Sequence, residues 1–158
     1  MSNLEATIQR LADIEEIKQL KHSYCHACDD NYNPETLAPM FTESAIWDGG
    51  PMGRVEGRQA IKEFFTGASS MVTFALHGAT LPVINVDGDS ATGEWALWQP
   101  MALTEGDQAM WLVAKYADKY VKVDGKWLFQ EVIITVRAFS PYEFGFGRML
   151  MAPIPDAS

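Results

Sequence analysis

The sequence predicts an α+β fold, in which a cone-shaped, curled antiparallel sheet packs on three N-terminal helices. Apolar residues recur every three or four positions over roughly the first thirty residues, which indicates an amphipathic helix. From about Met71 the pattern changes to alternation, which is typical of strands with one buried face. Glycine-containing turns then divide the second half of the chain into consecutive strands, which favours a meander.

The first helix has one apolar face, formed by Leu4, Ile8, Leu11, Ile14, Ile17, Leu20, Tyr24 and Cys28. Ser2 with Glu5 is a capping-box pattern, and Asp13 with Glu16 is a second one. Two such patterns predict a short lead helix, a break, and a main helix that starts near Asp13. The polar run 29–31 predicts the end of this helix.

Two further helices and a short strand are predicted before the meander. Asn33 as N-cap and Pro34 in the first turn favour a short helix that ends near Phe41. A short strand over 45–47 follows, and a third helix begins near Gly57.

The meander consists of four long strands. The predicted turns lie at 87–88, 105–107 and 124–125. The strands span roughly 72–86, 90–103, 109–123 and 127–139. Strands of about 13–15 residues must twist and curl, with bulges or edges expected near Gly78, Pro82 and Gly93. The helices can cover only the concave side, which predicts a pocket between helix and sheet.

Composition limits the classes of function. The 158 residues predict a single domain over 1–158. The net charge is −9, from 12 basic and 21 acidic side chains, which argues against nucleic acid or an anionic membrane as partner. No apolar run reaches about 18 residues and the N-terminus lacks a secretory pattern, so we expect a soluble, cytoplasmic protein. Cys25 and Cys28 alone do not make a disulfide scaffold.

Three groups of residues form a recognisable pattern of spacings. The run 13–21 is followed by Tyr24 and, five residues later, by Asp29. His77 precedes a second group, Ile84, Asp87, Gly88, Asp89 and Ala91, and the closing hairpin carries the third, Tyr116, Asp118, Tyr120 and 124–127. This pattern resembles the SnoaL-like branch of the NTF2-like (cystatin-like) superfamily. The resemblance covers roughly 13–140 and is closest to bile-acid 7α-dehydratases, with scytalone dehydratase and hexachlorocyclohexane dehydrochlorinase more distant.

This resemblance implies a catalytic pair of His77 and Asp29, assisted by Tyr24, with no cofactor and no metal. An imidazole can accept a proton near neutral pH, and a carboxylate on its other nitrogen fixes the tautomer. A phenol can donate to a departing oxygen or a developing enolate. The resemblance also implies a homo-oligomer, a trimer or a dimer, and a hydrophobic small molecule as substrate.

The predicted topology agrees with this pairing. Asp29 lies near the C-terminal end of the first helix, where the helix dipole disfavours an anion, so its carboxylate needs a partner. His77 lies early in the first long strand and can supply one if it points into the cone. Its same-face neighbours in a regular strand are apolar: Ala75, Ala79, Leu81 and Val83.

Asp48, Trp98, Tyr116 and Arg137 are further candidates for lining the pocket. Asp48 lies near the position where related dehydratases carry a substrate-contacting tyrosine. Arg137 either pairs with an acid such as Glu131 or meets a substrate oxygen.

Two other features suggest surface or interface roles. His22 and His26 have the spacing of half a metal site, but no further ligands complete it, so we expect both on the surface. The C-terminal segment, about 140–158, is rich in aromatic and methionine side chains. It is expected to form a lid over the pocket or an interface with a neighbouring subunit.

The leading hypothesis is a cofactor-independent lyase of the dehydratase type, acting on a hydrophobic ring or aryl-alkyl small molecule. The alternatives are an isomerase or a carbon–carbon lyase, such as one that releases formaldehyde from a lignin-derived diol. A third interpretation is a non-catalytic binding or partner subunit. It predicts a pocket in which His77 and Asp29 do not approach each other, or one that is filled by side chains.

Overall fold

The computed structural model describes residues 2–156 and shows the predicted α+β architecture. The helices are α1 (Asn3–Asp29), α2 (Pro34–Leu37), α3 (Arg58–Ala68) and α4 (Gly145–Arg148). The strands are β1 (Phe41–Asp48), β2 (Arg54–Glu56), β3 (Val72–Ala75), β4 (Gly78–Asp87), β5 (Ser90–Leu103), β6 (Gln108–Val123) and β7 (Lys126–Pro141). No helix in the described range is both long enough and apolar enough to cross a bilayer.

Helix α1 is continuous, so the predicted break near Asp13 is wrong. The capping box at Ser2 and Glu5 forms as expected, with the Glu5 amide donating to Ser2 Oγ at 3.2 Å and the Ser2 amide donating to the Glu5 carboxylate at 2.7 Å. Asp13 is instead a buried residue inside the helix. Its carboxylate accepts hydrogen bonds from Lys122 and Trp127, so a tertiary contact uses the group that local sequence assigns to a cap.

Only part of the predicted apolar face of α1 is buried. Burial along the helix is confined to Asp13, Ile17, Lys21, Tyr24, Cys25, Ala27 and Cys28. Leu4, Ile8 and Leu11 are exposed, because the first turns of α1 extend beyond the sheet that covers the rest.

At the start of α2, the Asn33 side chain accepts a hydrogen bond from the Thr36 amide, which confirms the predicted cap.

The sheet is mixed and open. The strands lie in the order β2-β1-β7-β6-β5-β3. Strand β4 lies off this path and also pairs with β5. Strand β1 runs parallel to β7, whereas the other pairs are antiparallel. The meander of β4 to β7 is confirmed, and the parallel β1–β7 pair is the departure from the predicted antiparallel sheet.

The predicted turns are present, and the first long strand is divided. Asp124 and Gly125 both have positive φ angles, 51° and 76°, as a two-residue hairpin turn requires. The strand predicted over 72–86 is interrupted between Ala75 and Gly78, so that β3 and β4 pair with β5 separately. Its register shifts again between Thr80 and Val83, around Pro82.

Helices α1 and α3 contribute to a core rich in aromatic side chains. Tyr24 of α1 makes edge contacts with rings from three other parts of the fold, Phe65, Tyr116 and Phe129. These rings are almost completely buried. The pocket begins beside this cluster, so Tyr24 belongs to both the core and the pocket wall.

Candidate functional site

Asp29 and His77 meet at the junction of α1 with the strand pair β3 and β4. The Nδ1 of His77 lies 2.7 Å from Asp29 Oδ1, and the backbone amide of His77 donates to the same oxygen at 2.9 Å. The His77 side chain is 6% exposed and that of Asp29 is 21% exposed. Because one carboxylate oxygen holds both the ring and the backbone, the orientation of the imidazole is fixed and Nε2 is the nitrogen available to a ligand.

The interruption of the strand positions His77. It lies between the end of β3 and the start of β4, outside both ladders. Gly78 follows it, and a Cβ at this position would lie 3.0 Å from the Trp98 carbonyl oxygen. Only glycine permits this close approach of the two backbones without a shift.

The side chain of His77 lines a cavity of about 100 Å³. Its wall is mainly aromatic and aliphatic, with Trp47, Phe64, Phe65, Leu97, Leu112 and Phe139 among its members. Five side chains with polar groups also line the cavity: Tyr24, Tyr32, His77, Gln99 and Tyr116. The cavity thus combines a hydrophobic wall with a few polar groups, the usual composition of a small-molecule site.

Tyr24 is a buried phenol fixed by Trp47, whose Nε1 donates to the phenol oxygen at 3.0 Å. Burial raises the pKa of Tyr24 well above its usual value, and the neighbouring Cys28 raises it further. The phenol therefore stays protonated at ordinary pH and acts as a donor of a hydrogen bond or a proton, not as a base.

Tyr116 also lines the cavity, and it rests on a buried ion pair. Lys21 Nζ lies 2.8 Å from Asp118 Oδ2, and both side chains are fully buried. The same Nζ lies 3.2 Å from the centroid of the Tyr116 ring. Asp118 in turn accepts from the Tyr120 hydroxyl at 2.8 Å. The ion pair, the cation–π contact and the hydrogen bond thus fix the side chains that pack against Tyr116.

Three of the predicted pocket residues lie outside the cavity lining. Asp48 accepts from the Gly50 amide at 2.9 Å, at the rim of a separate surface depression. Trp98 points away, because its neighbours Leu97 and Gln99 face the cavity and strand residues alternate. Its ring is 44% exposed and stacks on Trp111 at 4.9 Å.

Arg137 is the third of these residues, and it is exposed. It falls where β7 shifts register, since Val113 opposes Ala138 and Ala114 opposes Val136. Arg137 is therefore the extra residue of a bulge, which turns its side chain outward. The predicted partner Glu131 pairs instead with Lys119 at 3.0 Å.

The prediction that residues on the same strand face as His77 form an apolar wall is correct only in part. Ala75 and Ala79 pack on the core, but Leu81 and Val83 are exposed. Alternation does not carry across this stretch, because His77 lies between two strands and Leu81 has a positive φ of 54° at a register shift.

The sequence interpretation missed Tyr32 and Gln99, which both line the cavity. Tyr32 lies in the loop after α1, and Gln99 lies in the middle of β5. Gln99 lies two positions from Leu97 and from Met101, so in a strand it shares their inward face. The sequence therefore contained a signal for an inward-facing polar residue. For Tyr32 the loop gives no comparable pattern. His22 and His26 are exposed, as predicted.

The C-terminal segment meets the cavity near its end. Residues 142–151 leave several large apolar side chains exposed, among them Tyr142, Phe146 and Leu150. The chain then returns to the sheet, where the Ala152 amide donates to the Phe139 carbonyl at 2.7 Å. Ile154 and Pro155 line the cavity, and the last two residues of the predicted lid lie outside the described range.

Several solved structures have the same fold as this chain. A scytalone dehydratase-like protein from Novosphingobium aromaticivorans is 25% identical, with 86% of this chain and 91% of that chain covered and a TM-score of 0.79. The hexachlorocyclohexane dehydrochlorinase LinA-type3 from Novosphingobium barchaimii is 22% identical, with 85% and 93% covered and a TM-score of 0.79. An NTF2-like protein with a cystatin-like fold from Novosphingobium aromaticivorans is 18% identical, with 85% and 88% covered and a TM-score of 0.71.

The sequence itself matches one family over most of its length. The SnoaL-like domain matches residues 9–133, which include most of the first helix, His77 and most of the meander. The chain belongs to the family of SnoaL-like domains.

Proposed function

We propose that this protein is a cofactor-independent lyase that eliminates water from a hydrophobic ring or aryl-alkyl compound. The observation that carries the proposal is the 2.7 Å contact between His77 Nδ1 and Asp29 Oδ1 at the wall of an apolar cavity. A general base must lie where a substrate can reach it, and its other nitrogen must be held in one tautomer. This arrangement meets both requirements.

The proton transfer begins at His77. With Nδ1–H donated to Asp29, the lone pair of Nε2 faces the cavity and removes a proton from a carbon next to a carbonyl. The electron pair of the broken C–H bond forms the new C=C bond, by way of an enolate. Asp29 stabilises the imidazolium that results, and the apolar wall excludes water that would compete for the proton.

The leaving group departs as hydroxide and needs one proton to become water. Tyr24 supplies this proton from its phenol, which burial keeps in the protonated form. The proton taken by His77 then restores Tyr24, so the enzyme returns to its starting state. The net change is loss of one water from the substrate.

The scytalone dehydratase-like relative is named for an elimination of water, which supports this class of reaction for the present chain. An isomerase or a carbon–carbon lyase would use the same His77 and Asp29 on a different bond. The binding-module interpretation expects these two side chains apart, and their 2.7 Å contact argues against it. The mass of the product separates the chemical alternatives: loss of water, no loss, or loss of formaldehyde.

The test replaces the base. β-Hydroxy ketones that carry a phenyl or cyclohexyl ring serve as probes, since loss of water yields an enone that absorbs in the ultraviolet. We expect His77→Gln to lower turnover by about 10²–10⁴-fold, the usual contribution of a general base, while circular dichroism and melting temperature stay near wild type. His26→Gln, an exposed histidine on the same helix as Asp29, is the matched control. Near-native turnover by His77→Gln would show that the role assignment is wrong.

A further inference from the structure

We propose that Gln99 and Tyr32 form a binding site for a carbonyl oxygen, so that the substrate is a carbonyl compound with a single ring. The inference rests on the lyase function proposed above and assigns a substrate class to the same cavity. It uses residues that the His77–Asp29 pair does not involve. Three observations carry it: the bonding state of Gln99, the placement of Tyr32, and the size of the cavity.

Gln99 is a buried amide with bonding capacity to spare. It is 3% exposed and lines the cavity from β5. An amide has two N–H donors and an oxygen with two lone pairs. Here Nε2 donates to Met101 Sδ at 3.5 Å, a weak acceptor, and the side chain also hydrogen-bonds the Tyr32 hydroxyl. A buried polar group with unused capacity is costly in an apolar wall, and a polar atom of a ligand would satisfy it.

Tyr32 is held in the cavity by an unusual backbone. Asn31 and Tyr32 both have positive φ angles, 56° and 52°, a conformation that residues with side chains seldom adopt. The Tyr32 ring stacks on Phe65, with centroids 6.1 Å apart, and meets the edge of the His77 ring at 5.7 Å. Burial raises the pKa of Tyr32, so its hydroxyl keeps its proton and can donate.

The two side chains suit the chemistry that His77 performs. A C–H bond next to a carbonyl is far more acidic than an unactivated one, because the oxygen takes up the charge, so a base as weak as imidazole removes its proton most readily there. N–H and O–H donors aimed at that oxygen stabilise the enolate as it forms. Because Tyr32 contacts the His77 ring, an oxygen bound at Tyr32 and Gln99 brings the neighbouring carbon towards Nε2.

The cavity limits the size of the ring system. Its volume is about 100 Å³. A cavity of about 150 Å³ is enough to hold benzene. The present cavity is smaller than that, so it encloses at most one six-membered ring, whereas a fused tetracyclic compound would need a much larger pocket.

Binding of non-reactive ligands tests the inference apart from catalysis. Acetophenone and ethylbenzene have nearly the same shape, and the first has a carbonyl where the second has a methylene group. We expect wild-type protein to bind acetophenone about 10-fold more tightly in calorimetric titration, the value of one buried hydrogen bond. Gln99→Met and Tyr32→Phe keep the shape of the wall, and each is expected to reduce this preference to within about threefold. Gln19→Met, on the exposed side of α1, should leave the preference unchanged.

Each outcome bears on a definite part of the proposal. Equal binding of the two ligands by the wild type, or a full preference retained by both variants, would overturn the carbonyl site. A tetracyclic steroid ketone that binds as tightly as acetophenone would overturn the size limit. Neither aromatic ligand has a leaving group, so the binding result does not depend on turnover. If the preference is found and His77→Gln still turns over the probes, the lyase function fails and the carbonyl site stands.

Discussion

At the scale of single residues, the site depends on contacts between side chains that are distant in sequence. Asp29 and His77 lie 48 positions apart, and Tyr24 and Trp47 lie 23 apart. In each pair one member fixes the other: Asp29 orients an imidazole, and Trp47 orients a phenol. Replacing either member by a side chain that cannot form the hydrogen bond changes both chemistry and stability, because its partner loses a buried hydrogen bond.

Tyr24→Phe separates the two effects. It leaves the ring contacts in place but removes the acceptor of the Trp47 Nε1–H, so we expect a loss of about 1–3 kcal/mol in the free energy of unfolding. If the phenol protonates the leaving group, kcat falls by at least about 10-fold while KM changes little. Denaturant unfolding and steady-state kinetics on the β-hydroxy ketone probes measure both quantities. Tyr142→Phe, at an exposed tyrosine, is the control; unchanged kcat in Tyr24→Phe would remove Tyr24 from the mechanism.

At the scale of elements, the interruption between β3 and β4 decides where the imidazole points. A regular strand through this region would leave His77 in a ladder, with its side chain fixed by alternation. The break releases it from both ladders, and the close approach of Gly78 to the Trp98 carbonyl sets the position of the chain there. The geometry of the contact between His77 and Asp29 is thus a property of a strand junction.

Gly78→Ala tests this positioning. The added Cβ would lie 3.0 Å from a backbone oxygen, so the chain must shift, at an expected cost of about 1–3 kcal/mol. Because the adjacent His77 moves with it, we expect turnover to fall more steeply than stability. Gly67→Ala in α3 is the matched control, since nothing lies within 4 Å of its added Cβ, and it should be neutral or stabilising by up to about 1 kcal/mol. Full activity in Gly78→Ala would show that the junction tolerates a side chain.

At the scale of the whole molecule, Asp13 joins the N-terminal helix to the last hairpin of the sheet. Its carboxylate accepts from Lys122 and Trp127, which flank the turn between β6 and β7. Burial alone would raise the pKa of Asp13, but hydrogen bonds, the largest from Lys122 and Trp127, outweigh burial and lower it. The folded state therefore favours the ionised form.

This contact makes stability depend on pH. Because the folded pKa of Asp13 is below the unfolded value of about 3.9, its contribution is complete above that pH and is lost as the pH falls through the folded pKa. We expect Asp13→Asn to cost about 1.5–3 kcal/mol at pH 7, and the difference from wild type to shrink below about pH 4. Urea unfolding at several pH values measures it, with the exposed turn variant Asp124→Asn as control. A difference that stays constant down to pH 2 would contradict this account.

Much of the architecture could be predicted because its signals are local. The hairpin turns, the cap at Asn33 and the alternation along β5 and β6 each depend on a few neighbouring residues, and all are present. The predicted break at Asp13 failed because a capping pattern describes only local hydrogen bonds, and here a distant lysine and tryptophan use the carboxylate. For Trp98 the alternation with Leu97 and Gln99 already indicates an outward side chain, so its prediction as a pocket residue did not follow the local pattern. Arg137 could not be placed from the sequence, because a bulge depends on pairing with the neighbouring strand.

The sequence by itself determined the α+β class, the order of its main helices and strands, and the family to which the chain belongs. The reason is that periodicity, turn residues and motif spacing depend on residues that are close together in the sequence. The tertiary structure decided which polar groups share the cavity. It brought Asp29 to His77, added Tyr32 and Gln99 to the wall, and turned Asp48, Trp98 and Arg137 away. The physical reason is that a cavity is formed by the register and curvature of a whole sheet, which long-range pairing sets and no single segment encodes.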